Sequence, residues 1–166
     1  MPDMLVKLYE LPDSAPIYKK MEDQGVKILR AMTPNKSLIL DWIREHFEET
    51  WASEINTAFS RVPVSCFVAY DTVEKKILGF GGYDCTCRNF FGPTGVDESA
   101  RGKGIGAALF LRCMEAMRDE GYGYAIIGAA GPVNFYKKIA GAITIEGSWP
   151  GVYSDLIVIP KEATNE

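Results

Sequence analysis

The sequence predicts a mixed α/β layer fold of the α+β type, with helices covering a largely antiparallel sheet. Three observations carry this expectation. Short runs rich in β-branched and aromatic residues are separated by turn residues only a few positions long, as at Asp71–Lys75. Other stretches repeat their apolar residues at helical spacing. A glycine-rich loop joins the last of one strand series to the longest helical stretch.

Residues 1–25 have mixed polarity, three prolines and no clear period, and read as an extension holding a short strand at Leu5–Leu8. A first core strand follows at Val26–Ala31. Thr33-Pro34 has the form of an N-cap with proline at the first helical position. Leu38, Ile39, Trp42, Ile43 and Phe47 then mark one helix, and Trp51, Ile55, Ala58 and Phe59 a second, which Pro63 ends. Val64–Tyr70 and Ile77–Tyr83 read as a hairpin. Phe90–Val96 is a further strand, and Gly92, Pro93 and Gly95 inside it predict a bulge or a close backbone approach. A helix over Gly104–Glu120 buries Ile105, Leu109, Cys113 and Met117 and stops at Gly121. Tyr124–Gly128 is a short buried strand and Pro132–Ala140 a short helix. Ala142–Glu146 and Val152–Val158 alternate and predict a terminal antiparallel pair. Residues 26–160 thus form one domain.

A chain of 166 residues has room for a proper core. Its net charge of −4 argues against non-specific binding to nucleic acid, which needs a basic face. No apolar stretch spans a bilayer, and the first residues lack the pattern of a secretory signal. The four cysteines, Cys66, Cys85, Cys87 and Cys113, form no C-x-x-C pair, and His46 is the only histidine. No zinc site is expected, and free thiols suit a reducing cytoplasm.

The loop Arg101-Gly102-Lys103-Gly104-Ile105-Gly106 carries the chemistry. A helix start presents unpaired N–H groups and a partial positive charge, and glycines let an anion approach the backbone. A Walker A loop would need Ser or Thr after Gly102-Lys103, where Gly104 stands. A dinucleotide fingerprint is formally present as Gly102-x-Gly104-x-x-Ala107. It should follow the first strand of a βαβ unit directly, whereas Asp97–Arg101 intervene here after antiparallel strands.

The segment Val96–Gly106 resembles the coenzyme A loop of the GNAT N-acetyltransferase superfamily, whose Arg/Gln-x-x-Gly-x-Gly/Ala motif is met by Arg101, Gly104 and Gly106. The resemblance covers about residues 26–158, including the two early helices and Phe135-Tyr136-Lys137-Lys138. It implies a GNAT-like fold, acetyl-CoA as cosubstrate, no metal, and transfer of an acetyl group to a primary amine of a small molecule or peptide. It also implies a diphosphate site at Arg101, Gly102, Lys103, Gly104, Ile105, Gly106 and Ala107. Thr94, Gly95 and Val96 would supply backbone contacts to the pantetheine and acetyl oxygen, with Asn134 as a further cofactor contact. Neither nucleic acid nor membrane is an expected partner. A homodimer is compatible with the resemblance.

The reaction needs an oxyanion donor, an acid for the departing sulfur and a route for the amine proton. By the same resemblance Tyr136 is the acid. The family often has an asparagine seven residues before this tyrosine, where Ala129 stands. Many members also place a glutamate on the strand before the loop, but no carboxylate lies between Asn89 and Val96. Asp84 is then the nearest candidate base, with Asp155 or a water chain as alternatives. Trp42, Trp51, Phe59, Trp149 and Tyr153 are candidates to line the acceptor site. Without a base, a catalytically silent acyl-CoA-binding module is the competing expectation.

Overall fold

The computed structural model describes residues 1–158. Strands β1 (Met4–Lys7), β2 (Val26–Arg30), β3 (Cys66–Asp71), β4 (Lys76–Tyr83), β5 (Phe90–Val96), β6 (Tyr124–Ile127) and β7 (Ile143–Thr144) form one sheet in the order β2-β3-β4-β5-β6-β1-β7. Every pairing is antiparallel except β5 with β6. A parallel pair needs a crossover, which helix α4 (Ile105–Asp119) supplies. Helices α2 (Lys36–His46) and α3 (Glu49–Ala58) cover one face, where Ile39, Ile43, Ala52 and Ile55 meet Val68 and Phe80. Helix α1 (Ala15–Asp23), α4 and α5 (Val133–Ala140) cover the other, over Phe67, Ala69, Leu78 and Phe91. The alternation of β3 divides its side chains between these two cores.

Helix α4 is the centre of the second core. Ile105, Leu109, Phe110, Cys113, Met114 and Met117 are all buried, a wider band than a one-sided amphipathic helix shows. The width follows from its neighbours: the sheet lies beneath it and α1 beside it.

Residues 1–25 depart from the extension that their sequence predicts. Met4 and Val6 are fully buried, because β1 inserts between β6 and β7. A 3-10 turn, Leu8–Glu10, leads towards α1. Ser14 and Tyr18 both donate hydroxyl hydrogen bonds to Glu115 on α4, the latter at 2.9 Å. Burial and the Glu115 carboxylate push the Tyr18 phenol well above its ordinary pKa.

The predicted terminal pair Ala142–Glu146 with Val152–Val158 does not form. β7 pairs instead with β1, through Met4 with Thr144 and Leu5 with Ile143. The N-terminal strand thus takes the neighbouring place that the last segment was expected to fill. Gly151–Tyr153 makes a 3-10 turn, and Leu156, Ile157 and Val158 are exposed. Thr33–Asn35 is likewise a 3-10 turn leading into α2.

Replacing Glu115 with alanine leaves two part-buried hydroxyls without their acceptor. We expect Glu115→Ala to lower the unfolding free energy by about 1–3 kcal/mol, read from the urea midpoint. An unchanged midpoint would mean that apolar contacts alone hold α1.

Candidate active site

The opening in the sheet begins where β5 and β6 part. They pair only through Phe90 with Ile126 and Phe91 with Ile127. On its other edge β5 stays paired with β4, but between Tyr83–Phe91 and Gly81–Thr94 it holds one more residue than β4 does. That extra residue is a bulge at Gly92-Pro93, where the sequence predicts one. Beyond it Val96 pairs with Gly79 and Gly95 with Phe80, and the Asp97 N–H donates to Leu78 O at 2.8 Å. Antiparallel hydrogen bonds alternate along a strand. The N–H groups of Gly95 and Asp97 therefore face β4, and those of Thr94 and Val96 face the gap beside β6. Thr94 also fixes its side chain, donating Oγ1–H to Phe80 O at 2.9 Å.

Gly95 serves a second purpose. A Cβ placed on it would lie 2.5 Å from Phe47 Cζ. Phe47 thus lies against the backbone of β5, next to Trp51, Phe80 and Trp42. Trp42 and Trp51 belong to this packed cluster, and Phe59 joins the same core.

From Val96 the chain passes through a 3-10 turn, Glu98–Ala100, whose Ala100 is buried. Asp97 stabilises the turn by accepting the Ser99 hydroxyl at 2.7 Å, a bond that lowers the pKa of its carboxyl. Arg101 donates Nε–H to Val96 O at 3.3 Å. Gly102 and Gly104 have φ of 79° and 86°, left-handed values that a side chain would strain. α4 starts immediately afterwards, and its first intrahelical bond runs from Ala108 N–H to Gly104 O at 3.1 Å. The N–H groups of Ile105, Gly106 and Ala107 consequently have no partner within the helix. Ile105 anchors this end with a buried side chain, while Arg101 and Lys103 are exposed.

The residues of α1 also reach this loop. A Cβ on Gly104 would lie 3.0 Å from Ile17 Cδ1 and 3.4 Å from Lys20 Nζ. Gln24 donates Nε2–H to Lys103 O at 3.1 Å. Sequence reasoning missed these groups. The available signal was Ser14 followed by Pro16, a helix-start pattern, with Ile17, Tyr18 and Met21 at helical spacing.

Across the gap, the chain leaving β6 is tied to the N-terminus. The Ala129 N–H donates to Asp3 Oδ1 at 2.8 Å and the Ala130 N–H to Pro2 O at 2.8 Å. Tyr136 lies on α5 and is 5% exposed. Its ring contacts Phe110 and Phe135, with centroids 5.1 Å away, and Phe91 at 6.3 Å. Burial pushes its phenol up to about 12. Asn134 is exposed on the first turn of α5. On the opposite face, a Cβ on Gly128 would lie 2.6 Å from the Tyr153 hydroxyl and 2.9 Å from Phe90 Cδ2. Tyr153 neighbours Trp149, at 6.2 Å between rings. Burial, then the charge of Glu54, pushes its phenol up to about 12.

The structure assigns Asp84 a bracing position. Its carboxylate accepts from Arg61 Nη1 at 2.5 Å, Tyr122 Oη at 2.7 Å and the Asn89 N–H at 2.7 Å. Both of its oxygens are thus engaged in holding Arg61, Tyr122 and the Asn89 backbone. Glu54, which the sequence did not single out, is half-buried on α3 and accepts the Thr86 hydroxyl at 2.9 Å. Burial raises the pKa of its carboxyl. Asp155 is exposed in the segment after the last turn. A cavity of about 470 Å³ between α1, β2 and Arg112 contains none of the loop residues in its lining. Among the described residues there is no cluster of three metal-ligating side chains and no helix long and apolar enough to cross a membrane.

A strand bulge, a gap between parallel strands and a glycine-capped helix start follow one another along the chain from β5 into α4. Residues 63–139 match the family model of the acetyltransferase (GNAT) domain. The segment from β3 into α5 thus carries the GNAT domain signature. No curated protein matches the sequence. The fold is similar to a GCN5-related glucosamine N-acetyltransferase region of a fungal multi-domain GH3 β-N-acetylglucosaminidase, with a TM-score of 0.71, 13% identity, and coverage of 87% of this chain and 19% of that one. It is also similar to a GCN5-related N-acetyltransferase from Sphaerobacter thermophilus, with a TM-score of 0.65, 17% identity, and coverage of 87% and 48%. A GNAT family acetyltransferase from Brucella melitensis in complex with acetyl-CoA gives a TM-score of 0.54, 14% identity, and coverage of 74% and 88%. At these identities the likeness is one of fold. The chain spans less than half of the first two of these proteins.

Asp84→Ala removes the acceptor of a largely buried guanidinium pair. We expect a loss of about 1–3 kcal/mol, discounted because Arg61 is partly exposed, measured by thermal unfolding. A variant that keeps its stability and loses the acidic limb of its rate profile would restore Asp84 as the base.

Proposed function

We propose that the protein is an acetyl-CoA-dependent N-acetyltransferase acting on a primary amine. The observation that carries this reading is the continuity of two unpartnered backbone surfaces. The gap-facing edge of β5 from Thr94 to Val96 leads into the free N–H groups of Ile105, Gly106 and Ala107. Arg101, Gly102, Lys103 and Gly104 complete the diphosphate cradle, and Thr94, Gly95 and Val96 line the pantetheine. Asn134, exposed on the first turn of α5, is a further cofactor contact in this reading.

The thioester supplies the activated acyl carbon. The Thr94 N–H, next to the bulge, is placed to stabilise the oxygen that becomes negative as the amine attacks. Tyr136 is a neutral phenol at physiological pH and serves as the acid for the departing sulfur. Its hydrophobic setting keeps the phenol protonated, so it can donate a hydrogen bond to the sulfur as negative charge develops there. Glu54 and Tyr153, on the α2–α3 face, receive the acceptor's ammonium, and Glu54 accepts its proton before the free amine attacks, the role first considered for Asp84. Four free cysteines fit a reducing cytoplasm. A second copy of the chain as partner is compatible with the reading.

Release of free thiol from acetyl-CoA across a panel of amines tests the reading. We expect release with at least one amine, and Tyr136→Phe to lower turnover by about 10²-fold or more with little change in cofactor affinity. Binding of acetyl-CoA without release for any amine would favour the silent module. An unchanged turnover rate in Tyr136→Phe would transfer the acid role elsewhere, with Tyr153→Phe as the next variant.

The raised carboxyl of Glu54 sets a pH dependence. It becomes protonated at a higher pH than an ordinary glutamate, so attraction for the ammonium weakens as pH falls through that raised value. The KM for the amine should climb on the acid side, and Glu54→Gln should abolish the climb. A KM profile identical in the variant would remove Glu54 from the acceptor site.

A further inference from the structure

Helix α1 runs alongside α4 in the opposite direction. Ser14 and Tyr18 reach Glu115, about three turns along α4, while Ile17 and Lys20 reach Gly104 at its start. Gln24 follows and clasps Lys103 through its main-chain oxygen. Ile17, Lys20 and Gln24 are spaced three and four residues apart, so they form one stripe along the helix. That stripe lies against the glycine loop.

The charges on this stripe are uneven. Lys19 is paired with Asp23 at 2.5 Å. Among the described residues Lys20 is in no ion pair, and neither are Arg101 and Lys103. Asp71 feels Lys103 only weakly, and it is already held by the N–H groups of Val73 and Glu74. Three cations without an ion-pair partner therefore lie in or beside the loop that leads into a helix start, itself positive. Such a concentration of one sign favours a multiply charged anion between them.

We propose that Lys20 binds the cofactor diphosphate, so that α1 completes the cradle from outside the strand-loop-helix unit. The inference rests on the acetyl-CoA reading above. The position of Nζ decides between the two phosphate groups of the cofactor. It lies beside Gly104, the residue whose following N–H groups meet the diphosphate, and the 3′-phosphate is carried on the ribose beyond it. Ile17 packing against Gly104 and the Gln24 bond to Lys103 hold the helix in register with the loop. Lys20 thus acts as a movable cation on a fixed support.

Calorimetric titration of the full chain with CoA and with 3′-dephospho-CoA tests the proposal. Lys20→Gln should weaken both ligands equally, by about tenfold, the size of one charge-assisted hydrogen bond. Lys20→Arg should restore most of the affinity, and Lys19→Gln should leave it unchanged. The melting temperature of Lys20→Gln without ligand should match that of the unaltered protein. Unchanged affinity in Lys20→Gln overturns the proposal. Weakening confined to CoA also overturns it, because it assigns Lys20 to the 3′-phosphate. Failure of the unaltered protein to bind either ligand overturns the acetyl-CoA reading itself, and is seen before any variant is made.

Discussion

The parting of β5 and β6 is the constraint on which the site depends. Two parallel strands that stayed paired would consume the outward N–H groups of Thr94 and Val96 in a ladder. Here the pairing stops after Phe91 and Ile127, and the bulge at Gly92-Pro93 turns the strand away. The backbone groups so released are polar and must find partners. A ligand with its own amides can provide them, as a strand does when it adds to a sheet edge. The glycine loop then lies at the end of the same edge.

Both walls of the gap are reinforced from distant parts of the chain. On the β5 side, Phe47 packs the tip of its ring against Gly95 and brings the cluster of Trp42, Trp51 and Phe80 with it. On the β6 side, Pro2 and Asp3 take up the N–H groups of Ala130 and Ala129. The Asp3 backbone is in turn joined to Ser148 and Ile145, so the turn after β6 and the segment after β7 share one anchor. Asp84 makes a similar brace with Arg61 and Tyr122 at the far end of β4. A rigid frame around an unpaired edge limits the reorganisation required when a ligand arrives.

Features set by local pattern were readable in the sequence, and features set by distant partners were not. The helices α2, α3 and α4 show apolar residues at helical spacing, and α4 also has Gly104 before it and Gly121 after it. The bulge could be read from Gly92-Pro93, since proline cannot donate to a ladder. Helix α1 was hidden because only Met21 is fully buried in it and its polar face is crowded with lysine and acid. The position of β1 was unreadable, since nothing in Met4–Lys7 names Tyr124–Ile127 as its partner. Asp84 looked available for the same reason: Arg61 and Tyr122 are remote in sequence, and their hydrogen bonds turn an apparent base into a brace. The left-handed turn ahead of α4 was legible in Gly102 and Gly104, but the approach of Lys20 to it was not, because that depends on the hydroxyls of Ser14 and Tyr18 finding Glu115.

The insertion of β1 between β6 and β7 also bears on how the chain assembles. Strand β1 is made before both of its partners and must wait for residues more than a hundred positions later before it can pair on either side. Until then Met4, Val6 and Leu8 are apolar groups without a core. Pairings this remote carry a large loop-closure cost and form late. The half of the sheet from β2 to β5 needs no such wait, because its strands follow one another as neighbours. Sequence separation therefore favours early pairing among β2 to β5 and later closure by β1, β6 and β7. The wall of the gap formed by β6, with Asp3 and Pro2 behind it, belongs to that later-closing part.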